Sequence, residues 1–94
     1  MTAPFALGRM MQTRGVHHAA FLDPAFEREI GHALARHAAG DFAEMSAEDR
    51  AANQLAIEQG GERVFSAYET SRGRVWIITE ADRSFTTVLF PREY

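Results

Sequence analysis

The sequence predicts an α+β fold in which a three- or four-stranded antiparallel sheet, formed by a C-terminal meander, has two to three helices packed on one face. The hydrophobic pattern repeats every ~3.6 residues in the first two thirds of the chain and every second residue in the last third. Only short links separate the C-terminal strand candidates, which is typical of antiparallel neighbours. The 94 residues fit a single domain spanning 1–94.

The N-terminal residues predict a strand and a short helix. Residues 5–11 are the candidate for a fourth strand of the sheet, weakened by Gly8 because glycine has no side chain to pack. Gly15 is expected to interrupt the chain. Residues 16–22 then form a short helix or a turn.

Two longer helices follow, and each has a start signal and a stop signal. Asp23 can accept hydrogen bonds from first-turn amides, while Pro24 sits where a missing N–H costs nothing. This helix ends near residue 39, where Gly40 suits the left-handed closing conformation. The next helix begins at Ser46, another good N-cap, and stops at the two glycines of residues 60–61.

Three strands are predicted at residues 64–69, 75–79 and 85–90, and Pro91 ends the last one. The middle strand is apolar on both faces and is therefore expected inside the sheet. Ten side chains are the candidate core: Phe26, Ile30, Leu34, Leu55, Phe65, Ala67, Trp76, Ile78, Val88 and Phe90.

Composition excludes several kinds of chemistry. The chain has no cysteine and all ten of its basic residues are arginine. Disulfides, thiolate metal sites and cysteine nucleophiles are therefore impossible, and so are a lysine Schiff base and a P-loop lysine. No apolar run reaches the ~20 residues of a membrane helix, and no secretion signal is evident. We expect a cytoplasmic protein of a bacterial host, without a membrane association and without a cofactor.

The formal net charge of −3 is unevenly distributed. Residues 41–62 contain six carboxylates and only one arginine, Arg50. Such a segment repels nucleic-acid phosphate and attracts basic protein surfaces, although a solvated helix face has the same composition. The candidate partner-binding residues are Asp41, Glu44, Glu48, Asp49, Glu58 and Glu62.

The titratable residues contain no established catalytic or metal-binding motif. The histidines lack the spacing of a helical zinc site, and His37 is expected to be partly buried, closing a helix C-terminus where a cation is favoured. Glu80 and Asp82 lie at a strand end, with Tyr68 expected nearby, and two close carboxylates are able to perform acid–base work or hold a divalent ion. The structural alternative is that Asp82 bonds its own turn while Arg83 pairs with one of the two carboxylates. We predict no metal site and no catalytic residue.

A basic and aromatic edge is a further candidate. Arg72 and Arg74 flank the predicted hairpin tip, and Trp76 follows them. Trp76 lies in the most apolar strand, which favours a core position. With an isoelectric point near 5.7, the chain is not expected to bind nucleic acid directly.

A distinctive motif, Thr-Glu-Ala-Asp-Arg-Ser-x-Thr-Thr-x-Leu-x-Pro-x-Glu-Tyr, covers residues 79–94. Shorter motifs lie upstream: Gly-Asp-Phe at 40–42, Glu-Asp-Arg at 48–50 with Asn53, and Ser-Ala-Tyr at 66–68. Together, over roughly residues 40–94, these motifs resemble a family of small proteins carried by plasmids and other mobile genetic elements. Family members usually have Trp and Asp at the positions that Phe42 and Gln54 occupy here.

A small, acidic, lysine-free member of this family is also similar to the anti-CRISPR inhibitors encoded by phages and mobile elements. The resemblance implies a non-enzymatic protein that binds a type I (I-C-like) CRISPR effector complex and blocks recognition of target DNA. Its partner would be a subunit with a basic DNA-binding surface, which the acidic segment 41–62 suits. The protein itself is expected to be a monomer or a small homo-oligomer.

Two other functions remain open at this point. One is a small metal-dependent hydrolase that uses Glu80, Asp82 and a histidine. The other is an accessory module of a mobile element that binds a different host protein.

Overall fold

The computed structural model describes residues 4–94, and within them it has the predicted α+β architecture. The elements, in chain order, are β1 (Arg9–Gln12), α1 (Arg14–Leu22), α2 (Pro24–Ala38), α3 (Ala47–Gln59), β2 (Val64–Thr70), β3 (Gly73–Thr79), β4 (Phe85–Leu89) and a 3₁₀ turn (Pro91–Glu93). None of the helices in this part of the chain is long and apolar enough to span a membrane.

The four strands form one mixed sheet in the order β1-β4-β3-β2. Strands β2, β3 and β4 are the predicted antiparallel meander, and β3 is an inner strand as expected. The predicted bounds and direction of the first strand are wrong, because β1 begins at Arg9 and runs parallel to β4. Gly8 sets this start: its φ is +65°, and a Cβ there would lie 2.4 Å from the carbonyl oxygen of Arg83.

Local capping explains where the two longer helices begin. Asp23 Oδ1 accepts hydrogen bonds from the amides of Ala25 and Phe26, at 3.1 and 3.2 Å. Ser46 Oγ accepts from the amide of Asp49 at 3.1 Å and starts α3 in the same way.

The structure confirms the predicted role of Gly40 but not that of Gly15. Gly40 follows α2 with a φ of +76°, as predicted. Gly15 does not interrupt the chain, since it lies in the first turn of α1, where Thr13 provides the N-cap. Its amide donates to Glu93 Oε2 at 2.9 Å, so the C-terminal turn supports this helix start.

Helices α1 and α2 cover one face of the sheet and form the main core with it. Phe26 of α2 stacks on Phe90 with ring centroids 5.9 Å apart, above the fully buried Val75, Ile77 and Val88. A second cluster joins Phe5, Phe42, Ala56 and Val64 where α3 meets the outer edge of β2. All helices therefore pack against the face that carries Val64, Val75 and Val88.

Most of the predicted core is buried, but three of its members are not. Leu55 is 53% exposed, so its assignment to the core was wrong. Phe65 and Trp76 are only half-buried, since strand alternation places these large rings on the face without helices, where the smaller Ala67 and Ile78 beside them are buried. The remaining candidates are buried or partly buried: Phe26, Ile30, Leu34, Ala67, Ile78, Val88 and Phe90.

Glu93 joins the C-terminal turn to the start of α1. Its carboxylate accepts from Thr13 Oγ1 at 2.6 Å, from the Gly15 amide at 2.9 Å and from the Phe90 amide at 3.1 Å.

We expect Glu93→Ala to lower the free energy of unfolding by about 2 kcal/mol, since three partly buried donors lose their acceptor. Urea unfolding measures this, with the neighbouring Arg92→Ala as control. Equal stability of the two variants would contradict the structural role.

Candidate functional site

The six predicted partner-binding carboxylates divide into two groups. Asp41 and Glu44 are engaged within the protein, because Arg36 of α2 forms ion pairs with both, and its Nε lies 2.8 Å from Asp41 Oδ2. Glu44 also accepts from the backbone amide of Glu69 at 3.0 Å. The Arg36 contact holds the pKa of Asp41 below its usual range, and the Glu69 amide does the same for Glu44. These two residues position the loop between α2 and α3.

The other four carboxylates are exposed on and beside α3. Glu48 and Asp49 lie in its first turn, where the helix dipole stabilises negative charge, and Glu58 lies in its last turn. Glu62 follows in the loop before β2. Within residues 4–94, none of these four side chains forms a hydrogen bond or an ion pair. We call Glu48, Asp49, Glu58 and Glu62 the acidic surface.

An open groove of about 520 Å³ runs between α3 and β2, and two members of the acidic surface line it. Its apolar lining includes Ala52, Leu55 and the ring of Phe65, while Asp49 and Glu62 contribute carboxylates. Leu55 is the most exposed of the large apolar side chains here, at 53%. Exposed apolar area with a polar rim is the usual composition of a protein-binding surface. We call this feature the α3 groove.

Asn53 fixes α3 against β2 and so shapes the groove. Its side-chain amide donates to the carbonyl oxygen of Phe65 at 2.5 Å and accepts from the Phe65 amide at 3.1 Å. Because β2 is an edge strand, these bonds replace the missing neighbour strand at that residue. The Asn53 side chain is buried, with 4% exposure.

The structure does not assemble Glu80, Asp82 and a histidine into one site. Glu80 Oε1 pairs with Arg63 Nε at 3.2 Å, and Asp82 Oδ1 accepts from the Ser84 amide at 3.0 Å, the predicted turn bond. Tyr68 is not near them, since its hydroxyl donates to the carbonyl oxygen of Asp41 at 2.8 Å. No group of three His, Asp or Glu side chains in residues 4–94 is arranged to hold a metal ion.

Arg83 stabilises the same turn in a way that the sequence did not predict. It pairs with neither carboxylate, and its guanidinium donates instead to backbone carbonyl oxygens, among them Glu62 O at 2.7 Å and Ala56 O at 2.9 Å. Its φ of +61° makes it the one non-glycine residue with positive φ in the described part of the chain. Arg83 thereby joins the β3–β4 turn to the C-terminus of α3.

His37 lies at the centre of a buried polar chain. It is fully buried and uncharged, whereas the sequence predicts a partly buried residue at a helix end that favours a cation. Its Nδ1 lies 2.5 Å from Ser66 Oγ and its Nε2 lies 2.9 Å from Thr79 Oγ1. Thr79 Oγ1 contacts Thr86 Oγ1 at 2.7 Å, and Thr86 donates to the carbonyl oxygen of Leu7. Burial lowers the pKa of His37 to about 4.

The direction of these bonds fixes the tautomer of His37. The Leu7 carbonyl only accepts, so the hydroxyl of Thr86 donates to it, and the hydroxyl of Thr79 must donate to Thr86. His37 Nε2 therefore carries the proton and donates to Thr79, leaving Nδ1 to accept from Ser66. A serine beside a histidine is also a nucleophile arrangement, but both side chains have 0% exposure and are closed to substrate.

The predicted basic and aromatic edge is divided between two sides of the sheet. Arg72 turns towards the helices, where its Nε pairs with Asp23 Oδ2 at 3.1 Å. Arg74 pairs with Glu69 at 3.0 Å on the side that also carries Trp76. No two unpaired arginines therefore meet at the hairpin tip.

Sequence reasoning missed the apolar part of the candidate site. The apolar character and spacing of Leu55, Phe65 and Trp76 predict core positions for all three. The alternation of side chains along β2 could have predicted this. Val64, Ser66 and Tyr68 face the helices, so Phe65 must face away from them.

No protein-family model matches the chain, and no curated protein or solved structure is significantly similar to it. The resemblance to a family of mobile-element proteins therefore stays a prediction from the quoted motifs. In the structure, several of those motif residues have structural partners, since Asn53 bonds Phe65, Ser66 bonds His37, and Tyr68 bonds Asp41.

Proposed function

We propose that this protein is a non-enzymatic inhibitor that binds another protein through the acidic surface and the α3 groove. The observation that carries the proposal is the combination of four carboxylates without internal partners and an apolar groove with Leu55 exposed. Carboxylates at the rim would steer a basic partner, and the apolar centre would supply affinity.

The resemblance to anti-CRISPR proteins gives this proposal a specific partner. A type I CRISPR effector complex must hold DNA phosphates in a groove of lysine and arginine side chains. An acidic protein that occupies such a groove would block recognition of target DNA. Asp41 and Glu44 are left out of the proposed contact set, because Arg36 and the Glu69 amide already bind them.

A test variant is Glu48→Arg combined with Glu58→Arg. We expect the purified double variant to bind a purified type I effector about tenfold more weakly than the unchanged protein at low salt, with the difference shrinking as salt rises. Gel-filtration co-elution and titration calorimetry, with and without target DNA, measure this. Target DNA and the protein should compete for the effector.

A control variant distinguishes the effect of the acidic surface on effector binding from the effect of net charge. Glu27→Arg reverses a first-turn glutamate of α2, as Glu48→Arg does in α3, and it should leave effector binding unchanged. Equal weakening by Glu27→Arg would mean that only net charge matters. Absence of any complex with the effector would exclude this partner, and capture from host lysate would then test the accessory-module alternative.

A further inference from the structure

The face of the sheet opposite α1 and α2 has no helix over it in residues 4–94. The strand register places Phe65 beside Ile78, Ala67 beside Trp76 and Trp76 beside Leu89. These residues alternate with Val64, Tyr68, Val75 and Ile77, which the helices cover. We call this second side the open face. Ala67, Ile78 and Leu89 are buried at its centre, so the apolar surface that it offers comes from the half-buried rings of Phe65 and Trp76.

Three aromatic rings form a ladder along the open face. Phe65 and Trp76 meet edge to face with centroids 5.0 Å apart, and Trp76 and Tyr94 do the same at 5.7 Å. Phe65 and Trp76 are half-buried, and Tyr94 is 72% exposed. The exposed part of these rings is aromatic surface open to a ligand, most of all at Tyr94.

The ladder is continuous with the α3 groove. Phe65 belongs to both features, and Arg63, which lines the groove, donates from Nη1 to the Tyr94 hydroxyl at 3.0 Å. The surface from Leu55 through Phe65 to Tyr94 is thus a single apolar path. Asp49 and Glu62 lie at its groove end and have no side-chain partner among residues 4–94.

The charges along this path favour a cationic ligand over an anionic one. Arg63 and Arg74 are already paired, with Glu80 and Glu69, while Arg9 of the same sheet face lies on the far edge strand β1. A single-stranded nucleic acid needs free cations beside the stacking rings, and this path provides unpaired carboxylates instead. The complementary ligand is therefore basic.

We propose that the open face and the α3 groove together bind a basic, arginine-bearing protein segment whose guanidinium groups stack on Trp76 and Tyr94. Arginine fits better than lysine, because its planar and weakly hydrated guanidinium stacks on an aromatic ring while it also bonds a carboxylate. This inference rests on the proposed function for the identity of the natural partner, but its chemistry is testable without that partner.

Trp76 is the only tryptophan of the chain, so its fluorescence reports directly on ligand binding at this site. Titrating the full chain with hexa-arginine should quench or shift the fluorescence of Trp76 with an affinity at least about fivefold higher than hexa-lysine of the same charge. The Tyr94→Ala variant should lose most of that preference. Phe21→Ala, which removes an 80% exposed aromatic side chain far from Trp76 in sequence, should keep it.

Three outcomes would overturn the proposal. Equal responses to hexa-arginine and hexa-lysine would reduce the site to charge attraction. A stronger fluorescence response to the oligonucleotide (dT)12 would assign the face to single-stranded nucleic acid. A change in fluorescence with protein concentration alone, matched by dimer formation in sedimentation, would assign it to a second copy of this chain.

The peptide assay and the effector assay test the two proposals independently. Arginine-selective binding together with no effector complex would retain this surface chemistry and reject the proposed partner. An effector complex that is sensitive to Glu48→Arg but indifferent to Tyr94→Ala would retain the proposed function and reject a role for the open face.

Discussion

Acidification from pH 6.5 to pH 4 is expected to lower the free energy of unfolding by about 3 kcal/mol through His37 alone. Burial lowers the pKa of this imidazole from the ordinary 6.5 to about 4 in the folded protein. Between these values the unfolded chain binds a proton that the folded chain excludes. Stability therefore falls as the pH drops through this window and is insensitive to His37 above it.

The physical cost is the burial of a cation away from water. A proton on Nδ1 would also require the Ser66 hydroxyl, which donates to that nitrogen across 2.5 Å, to rotate and accept instead. The charge would also lie between the rings of Phe5 and Phe42, with centroids 5.3 and 6.2 Å from that of His37. No carboxylate contacts His37 in the described part of the chain, so the cation would have no counter-ion.

Urea unfolding at pH 7, 6 and 5 measures this slope while most of the carboxylates remain ionised. The His37→Gln variant should be less stable at pH 7 but should lose most of the dependence between pH 6.5 and 5. His32→Gln, an exposed histidine on the same helix, is the matched control and should keep it. A flat profile for the unchanged protein across this range would contradict the neutral buried state.

The second large effect is expected for Asn53→Leu. Leucine has a similar volume but leaves both the amide and the carbonyl of Phe65 without their partner, and each unsatisfied buried group costs about 1–3 kcal/mol. We therefore expect a loss of about 2–6 kcal/mol in the free energy of unfolding. Gln54→Leu adds the same side chain at the next, exposed position of α3 and should change stability by less than about 1 kcal/mol.

Asn53→Leu has a second signature that distinguishes edge protection from simple loss of packing. Once the Phe65 backbone is unpaired, β2 becomes an open edge able to pair with another chain. Faster hydrogen exchange at the Phe65 amide and concentration-dependent association should accompany the loss of stability. Destabilisation without faster exchange at this amide would show that Asn53 acts through packing alone.

Structural features that depend on residues close in the sequence were predicted correctly. Asp23, Ser46 and Gly40 act on amides or dihedral angles within four residues, so local chemistry predicts the helix ends. The strand periods and short links likewise predicted the meander from β2 to β4. The direction of β1 was missed because its partner lies at the other end of the chain, beyond any local pattern.

The candidate site was only partly predictable for the same reason. The acidic composition of residues 41–62 is visible in the sequence, but the engagement of Asp41 and Glu44 by Arg36 depends on how α2 meets the following loop. Leu55 and Trp76 are indistinguishable from core residues by type. Trp76 is half-buried because helices lie on only one side of the sheet, and Leu55 is exposed because α3 buries Asn53 and Ala56 instead.

The pairing of β1 with β4 has a consequence for how the chain folds. Met10 must find Thr86, and almost the whole sequence lies between them. Closing so long a loop is entropically unfavourable until the meander provides a template, so β1 is expected to dock last. During synthesis, residues 9–12 would remain unpaired until β4 has left the ribosome.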